Sequence, residues 1–138
     1  MNPIVRCTLR ALSVGALLVA TVAQPGAQQP APARAQGMTA IRLGAIDLGA
    51  EIDGMEGRLF RMSLVTIAPG GGTALHDHVD RPEIVYVLRG RITEHAGGVT
   101  REYGHGEAFT ATRRTSHRLE NRGDGPATYV AAVIVREP

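Results

Sequence analysis

The sequence predicts an all-β domain, either a barrel or a sandwich of two sheets. Short runs rich in β-branched and aromatic residues recur from residue 41 to residue 135. Turn-forming clusters separate them: Pro69 with Gly70, Gly71 and Gly72; Gly97 with Gly98; Gly104 with Gly106; and Asn121 through Pro126. No stretch sustains a helical period. At 138 residues the chain has room for one such domain.

Taken in order, strands are expected at residues 41–48, 58–68, 73–78, 83–88, 91–95, 99–103, 108–111, 117–121 and 127–135. The second alternates, with Phe60, Met62 and Leu64 on one face and Arg61 and Ser63 on the other. Phe60, Met62 and Leu64, or their neighbours, are therefore expected to line a wall of the core. The phase blurs at residues 65–67, and Pro69 with its three glycines should break the strand. Strand 83–88 carries Ile84, Val85, Tyr86 and Val87, the residue types a pleated strand favours. Pro82, which has no N–H to donate, suits the position just before it. If Glu83 faces inward, Val85 and Val87 share its face. If His117 faces inward, Leu119 and Asn121 do so too, with Asn121 nearer a barrel end.

The N-terminus reads differently. Arg6 and Arg10 precede or open an apolar run over residues 11–23, the length of a signal-peptide core and too short to span a bilayer. Small residues ending at Ala23 offer a cleavage site, with Ala33 and Ala35 as later alternatives. No arginine pair precedes the run, which favours general over twin-arginine export. Cys7 lies before the run, where a lipid-anchoring cysteine would have to follow it. The expected organisation is a signal peptide over 1–23, a flexible Pro/Ala/Gln-rich tether over 24–38, and the β domain over 39–138. The tether has too little apolar bulk to offset the entropy of ordering. The expected location is periplasmic or secreted, with no stable membrane insertion after processing.

Processing also changes the charge. All fifteen basic residues are arginine, and losing Arg6 and Arg10 leaves thirteen against thirteen acidic residues. The mature chain is then formally neutral, and no segment clusters basic with aromatic residues, so nucleic-acid binding is excluded as a reading. The single cysteine leaves with the signal, so the mature chain forms no disulfide. Stability must come from the core, from a metal or from a partner subunit.

The chemistry concentrates around His76 and His78. On a strand, residues two apart share a face with Cα atoms roughly 7 Å apart. Both imidazoles can then reach one ion at ~2.0–2.2 Å. Asp77 points to the opposite face. Glu83 follows a short loop, residues 79–82, that can turn the chain back beside the histidines, and His117 supplies a distant third imidazole. His76, His78, Glu83 and His117 are the candidate ligands of one divalent metal. The competing reading keeps the same residues for hydrogen bonding alone.

The spacing carries a resemblance. Gly70, five residues, His76, one, His78, four, Glu83, six and Gly90 matches the first cupin motif at every defined position. The second motif is partial. Gly106, His117 and Asn121 stand where the family has them, whereas Thr112 and Arg114 replace its proline and glycine. Over residues 59–135 the chain resembles a small single-domain cupin. The resemblance implies a double-stranded β-helix, or jelly-roll barrel, with three histidines and one glutamate around a metal. It also implies a transition metal such as manganese, iron, nickel or zinc, and a homodimer.

Other polar residues are read more plainly. Glu94 shares the parity of Ile92 and is a candidate inward carboxylate, set against the commoner solvated strand glutamate. His95 has the opposite parity and should face outward. His105, between Gly104 and Gly106, reads as a solvated turn histidine, and Arg113 and Arg114 as a solvated loop pair.

A metal with four protein ligands in an octahedral site keeps two positions for substrate, water or dioxygen. Around it, Val85, Val87 and Leu119 would make the pocket mainly apolar, a common pattern for small-ligand sites. Glu83 is a candidate base as well as a ligand. The expected function is an exported metal-dependent oxygenase or lyase acting on a small carbonyl, enol or hydroxyl compound. The alternative is a non-catalytic periplasmic module that binds a small molecule or a metal.

Overall fold

The computed structural model describes residues 34–136; the expected signal peptide and most of the tether lie outside them. The described chain forms β1 (Gln36–Asp47), β2 (Arg58–Gly72), β3 (His76–Asp77), β4 (Glu83–Arg89), β5 (Arg91–Ala96), β6 (Val99–Gly104), β7 (Ala108–Ala111), β8 (Ser116–Glu120) and β9 (Ala127–Arg136). Every pairing is antiparallel. One layer runs β1-β2-β9-β4-β7 and the other β6-β5-β8-β3. They join where Gly72 of β2 pairs with Glu120 of β8, giving an all-β, nearly closed jelly-roll barrel. Among the described residues no helix is long and apolar enough to cross a membrane.

Four local expectations are corrected. Pro69 and the glycines do not end β2; they bend it. Up to Ile67 the strand pairs with β9, and by Gly72 it pairs with β8 in the other layer. The strand expected over 73–78 shrinks to His76–Asp77. Phe60 and Met62 do not line the core: they are 40 % and 43 % exposed, and the same strand buries Leu59, Val65 and Ile67. Their neighbours supply the wall. The pairing of β1 begins at Gln36, within the stretch read as tether.

The core is the space between the layers. Ile67, Val85, Val87 and Ile92 are fully buried there, with Phe109, Leu119 and Tyr129 against them. Each such aliphatic side chain contributes roughly 1.5–3 kcal/mol. Asn121 locks one barrel end: its side-chain amide donates to the Ile67 and Gly125 carbonyls at 2.9 and 2.8 Å, and its oxygen accepts from Gly123 N–H. Gly90 connects β4 to β5 with φ +73°, and a Cβ there would sit 2.9 Å from Ala127 Cα. Both conditions demand glycine at that turn.

Register places the inward residues of three strands abreast. Arg61, Val133 and Glu83 form one row across β2, β9 and β4, and Ser63, Ala131 and Val85 the next. The polar Arg61–Glu83 row thus lies between two apolar clusters, Leu59 with Val135 on one side and Val65, Ile67, Val85 and Val87 on the other.

Candidate metal centre

β3 pairs with β8 so that His76 lies directly opposite His117. His78 follows at the strand end, where its N–H donates to the Thr115 carbonyl. The three rings meet with centroids 4.8 to 5.0 Å apart. One ligand atom from each of His76, His78 and His117 lies within 4.8 Å of the others. His78 and His117 are fully buried and His76 half-buried.

Each ring has a partner behind it. His76 Nδ1–H donates to the Ala74 carbonyl at 2.9 Å, and His78 Nδ1–H to the Arg81 carbonyl at 2.7 Å. His117 Nδ1–H donates to Glu94 Oε1 at 2.7 Å. These bonds fix the tautomer that leaves Nε2 as a lone pair, the form that ligates metals. The Nε2 atoms of His78 and His117 stand 3.0 Å apart. Two ligands at right angles, each ~2.1 Å from one ion, are separated by about 3.0 Å. Donor set and spacing therefore fit a divalent transition metal. Glu83, at the head of β4, places Oε2 3.6 Å from His78 Nε2.

Burial tunes these groups. It holds the His117 imidazolium below its ordinary range, outweighing the Glu94 hydrogen bond, so the neutral ligand form prevails. It also pushes the Glu83 carboxyl up, against the pull of His76, Arg81 and Arg61. Tyr129, deep in the wall, is raised by burial and by the nearby Glu83 charge.

The site opens into a cavity of about 350 Å³. Its walls include Val65, Leu119, Ala131 and Val133, and its polar lining includes His76, Glu83, Ser63, Arg61, Arg81 and Tyr129. A larger outer groove of about 660 Å³ runs past His95, Gly97, Gly98 and Arg114 but contains none of the four candidate ligands.

Glu94 is buried as its parity suggests, and its two oxygens are taken by His117 and by the Tyr103 hydroxyl. It stands behind the ligand rather than beside the cavity. His95 lies on the other face and bonds Glu120 and Thr100. His105 is an exposed turn residue whose Nδ1–H donates to the Leu88 carbonyl, and Arg113 and Arg114 are exposed. Sequence reading missed Tyr103 and Arg61. Tyr103 has no local signal, because its role arises from the pairing of Ile92 with Tyr103 across β5 and β6. Arg61 was not singled out, because alternation along β2 left open which of its two faces is inside.

The Cupin_2 model of the cupin domain matches residues 63–133, just over half the chain. The chain belongs to the cupin family. This cupin is 37 % identical over 76 residues to germin-like protein 1-1 of Oryza sativa, covering 51 % of this chain and 35 % of that one. It superposes on a cupin-superfamily sugar phosphate isomerase of Silicibacter pomeroyi with a TM-score of 0.57 and 25 % identity, covering 74 % and 61 % of the two chains. An oxalate oxidase bound to the substrate analogue glycolate gives a TM-score of 0.54 and 27 % identity, covering 72 % and 55 %. The chain spans about a third to a half of the length of the curated relatives it matches.

Proposed function

We propose that this cupin is a metal-dependent enzyme of the oxygenase or lyase type, acting on a small compound that offers a carbonyl, enol or hydroxyl oxygen. The observation that carries this reading is the convergence of three imidazoles whose Nδ1–H groups are all engaged elsewhere. His76, His78, His117 and Glu83 hold one divalent transition metal: manganese, iron, nickel or zinc. A bound ion of that kind supplies Lewis acidity, or one-electron chemistry toward dioxygen if it is redox-active. The chain's own residues do the rest. Glu94 holds the His117 ring, Val65, Leu119 and Val133 limit bulk water, and Glu83 serves as ligand or accepts a proton at its carboxylate. The raised proton affinity of that carboxyl suits it to a proton-accepting role. Similarity to an oxalate oxidase bound to the substrate analogue glycolate supports a small oxygen-rich ligand.

The test is elemental analysis of wild type against a His76→Ala/His78→Ala double variant, coupled to oxygen-uptake and substrate-loss screening. Equal metal in both proteins would remove the site assignment. A second reading, a non-catalytic binding module, is favoured by one observation: Glu94 is spent on His117 and Tyr103 and so is not a second free carboxylate at the cavity. Tight ligand binding without turnover in any screen would select it.

We also propose export with loss of at least residues 1–23, supported by the basic start and apolar run. Mass spectrometry of native protein retaining Cys7 would refute it. A homodimer is proposed on two further grounds. The outward face of β2, β9 and β4 is apolar, with Phe60, Met62, Ile84 and Tyr86 exposed, and β1 is a long exposed edge strand. Light scattering that gives a monomer at micromolar concentration would refute the dimer.

A further inference from the structure

Arg61 is anomalous. It lies on the inward parity of β2, in one row with Val133 and Glu83, about 10 Å from Glu83 between Cα atoms at ordinary strand spacing. Its Nε is buried and has no hydrogen-bond partner among the described residues. Guanidinium groups turned inward normally meet a carboxylate, because an unpaired buried donor costs its full desolvation. Two acids stand within range. Asp80, in a separate outer groove that Arg61 also borders, is already held by Arg58 at 3.6 Å and Arg136 at 3.4 Å. Glu83 feels the Arg61 charge but faces the histidines, 3.6 Å from His78. Arg61 therefore lines the cavity with hydrogen-bonding capacity to spare, beside a second cation, Arg81.

We propose that Arg61 is a specificity-determining residue that selects a small carboxylate ligand, whose second oxygen function faces the histidine cluster. The inference rests on the metal-centre reading and adds a ligand class to it. A planar guanidinium fork matches a carboxylate in two parallel hydrogen bonds, which a compact ammonium does not. The cavity, about 350 Å³ with Val65, Leu119 and Val133 in its walls, accommodates a short acid. The charge of such a ligand answers the Arg61 and Arg81 pair, which a neutral diol or aldehyde leaves unmet.

The experiment uses the full chain loaded with manganese(II) and isothermal titration with matched ligands. These are glycolate against ethylene glycol, 3-hydroxypropionate against propane-1,3-diol, and inorganic phosphate. Wild type is expected to bind each hydroxy acid at least about tenfold more tightly than its diol, the effect of one charged hydrogen-bonded pair. Arg61→Gln is expected to lose about ten- to hundredfold in affinity for the acids, with diol affinity and manganese content unchanged. Arg61→Lys should recover only part of the loss. An Arg61→Gln protein that keeps the acid preference, or loses acid and diol equally, overturns the proposal. So does wild type that binds phosphate more tightly than either acid. Wild type that takes up no manganese(II) refutes the metal centre and this inference with it. Manganese-loaded protein with an unaltered preference in Arg61→Gln refutes Arg61 alone.

Discussion

Strand β2 carries Phe60, Met62 and Leu64 on one face and Arg61, Ser63, Val65 and Ile67 on the other, and the second set looks into the barrel. The inward face is split along its length. Val65 and Ile67 enter the apolar core, whereas Arg61 and Ser63 enter the cavity beside the histidine cluster. The outward face is more uniformly apolar, continues onto Ile84 and Tyr86 of β4 across β9, and stays exposed. Alternation along a strand shows that two faces differ; it does not say which of them is inside. In a barrel with a polar site inside and an apolar outer sheet, the usual inference is reversed.

The largest effect separates the two faces directly. Ile67→Ala, at a fully buried position, should cost about 2–5 kcal/mol in equilibrium chemical unfolding of dilute protein. A loss below that of an outward substitution on the same strand would break the assignment of faces.

Next comes the support of the site. Glu94→Gln keeps the shape but removes the carboxylate that holds His117, and should weaken metal affinity about ten- to hundredfold in competition with a chelator. An unchanged affinity would show that the His117 ring needs no such anchor.

Smaller is the pH dependence of the metal-free protein. Burial keeps folded His117 below its ordinary value of 6.5, so below that pH the unfolded chain takes up a proton that the folded chain refuses. Its contribution to stability is complete above about pH 6.5 and is lost as pH falls toward the folded pKa. Glu83 has the opposite sign. Its folded pKa lies above 4.5, so stability falls as pH rises through that window. Thermal midpoints of His117→Gln and Glu83→Gln should each lose one of these two slopes, and slopes that survive both changes would assign them to other groups.

The smallest effect belongs to the outer face. Met62→Ser should change the stability of dilute protein by less than about 1 kcal/mol, as exposed positions usually do. At higher concentration Ile84→Arg should shift light scattering toward the monomer. Persistent dimers in that variant would move the interface off the apolar sheet.

The comparison also shows where the sequence was legible. The β4 start at Glu83, the inward pair Val85 and Val87, and the gathering of His76 with His78 follow from parity and short loops, which are local. Glu94 was readable as inward from the parity of Ile92, but its partner was not, since His117 comes from β8 and Tyr103 from β6. Asn121 was legible as belonging near a barrel end; that it ties β2 to the β8–β9 turn was not.

The sequence by itself determined the fold class, the strand order in the chain, and the spacing of His76, His78 and Glu83 over residues 70–90. These are matters of period, turn chemistry and near neighbours, each set within a few residues. Tertiary structure alone decided which face of β2 is inside, that each histidine has an acceptor behind Nδ1, and that Arg61 lies in one row with Glu83. Those facts depend on pairing β2 with β9, β9 with β4, and β8 with β3 and β5, contacts between residues tens of positions apart. Side-chain surroundings across a barrel are set by register between distant strands, and no local pattern encodes that register.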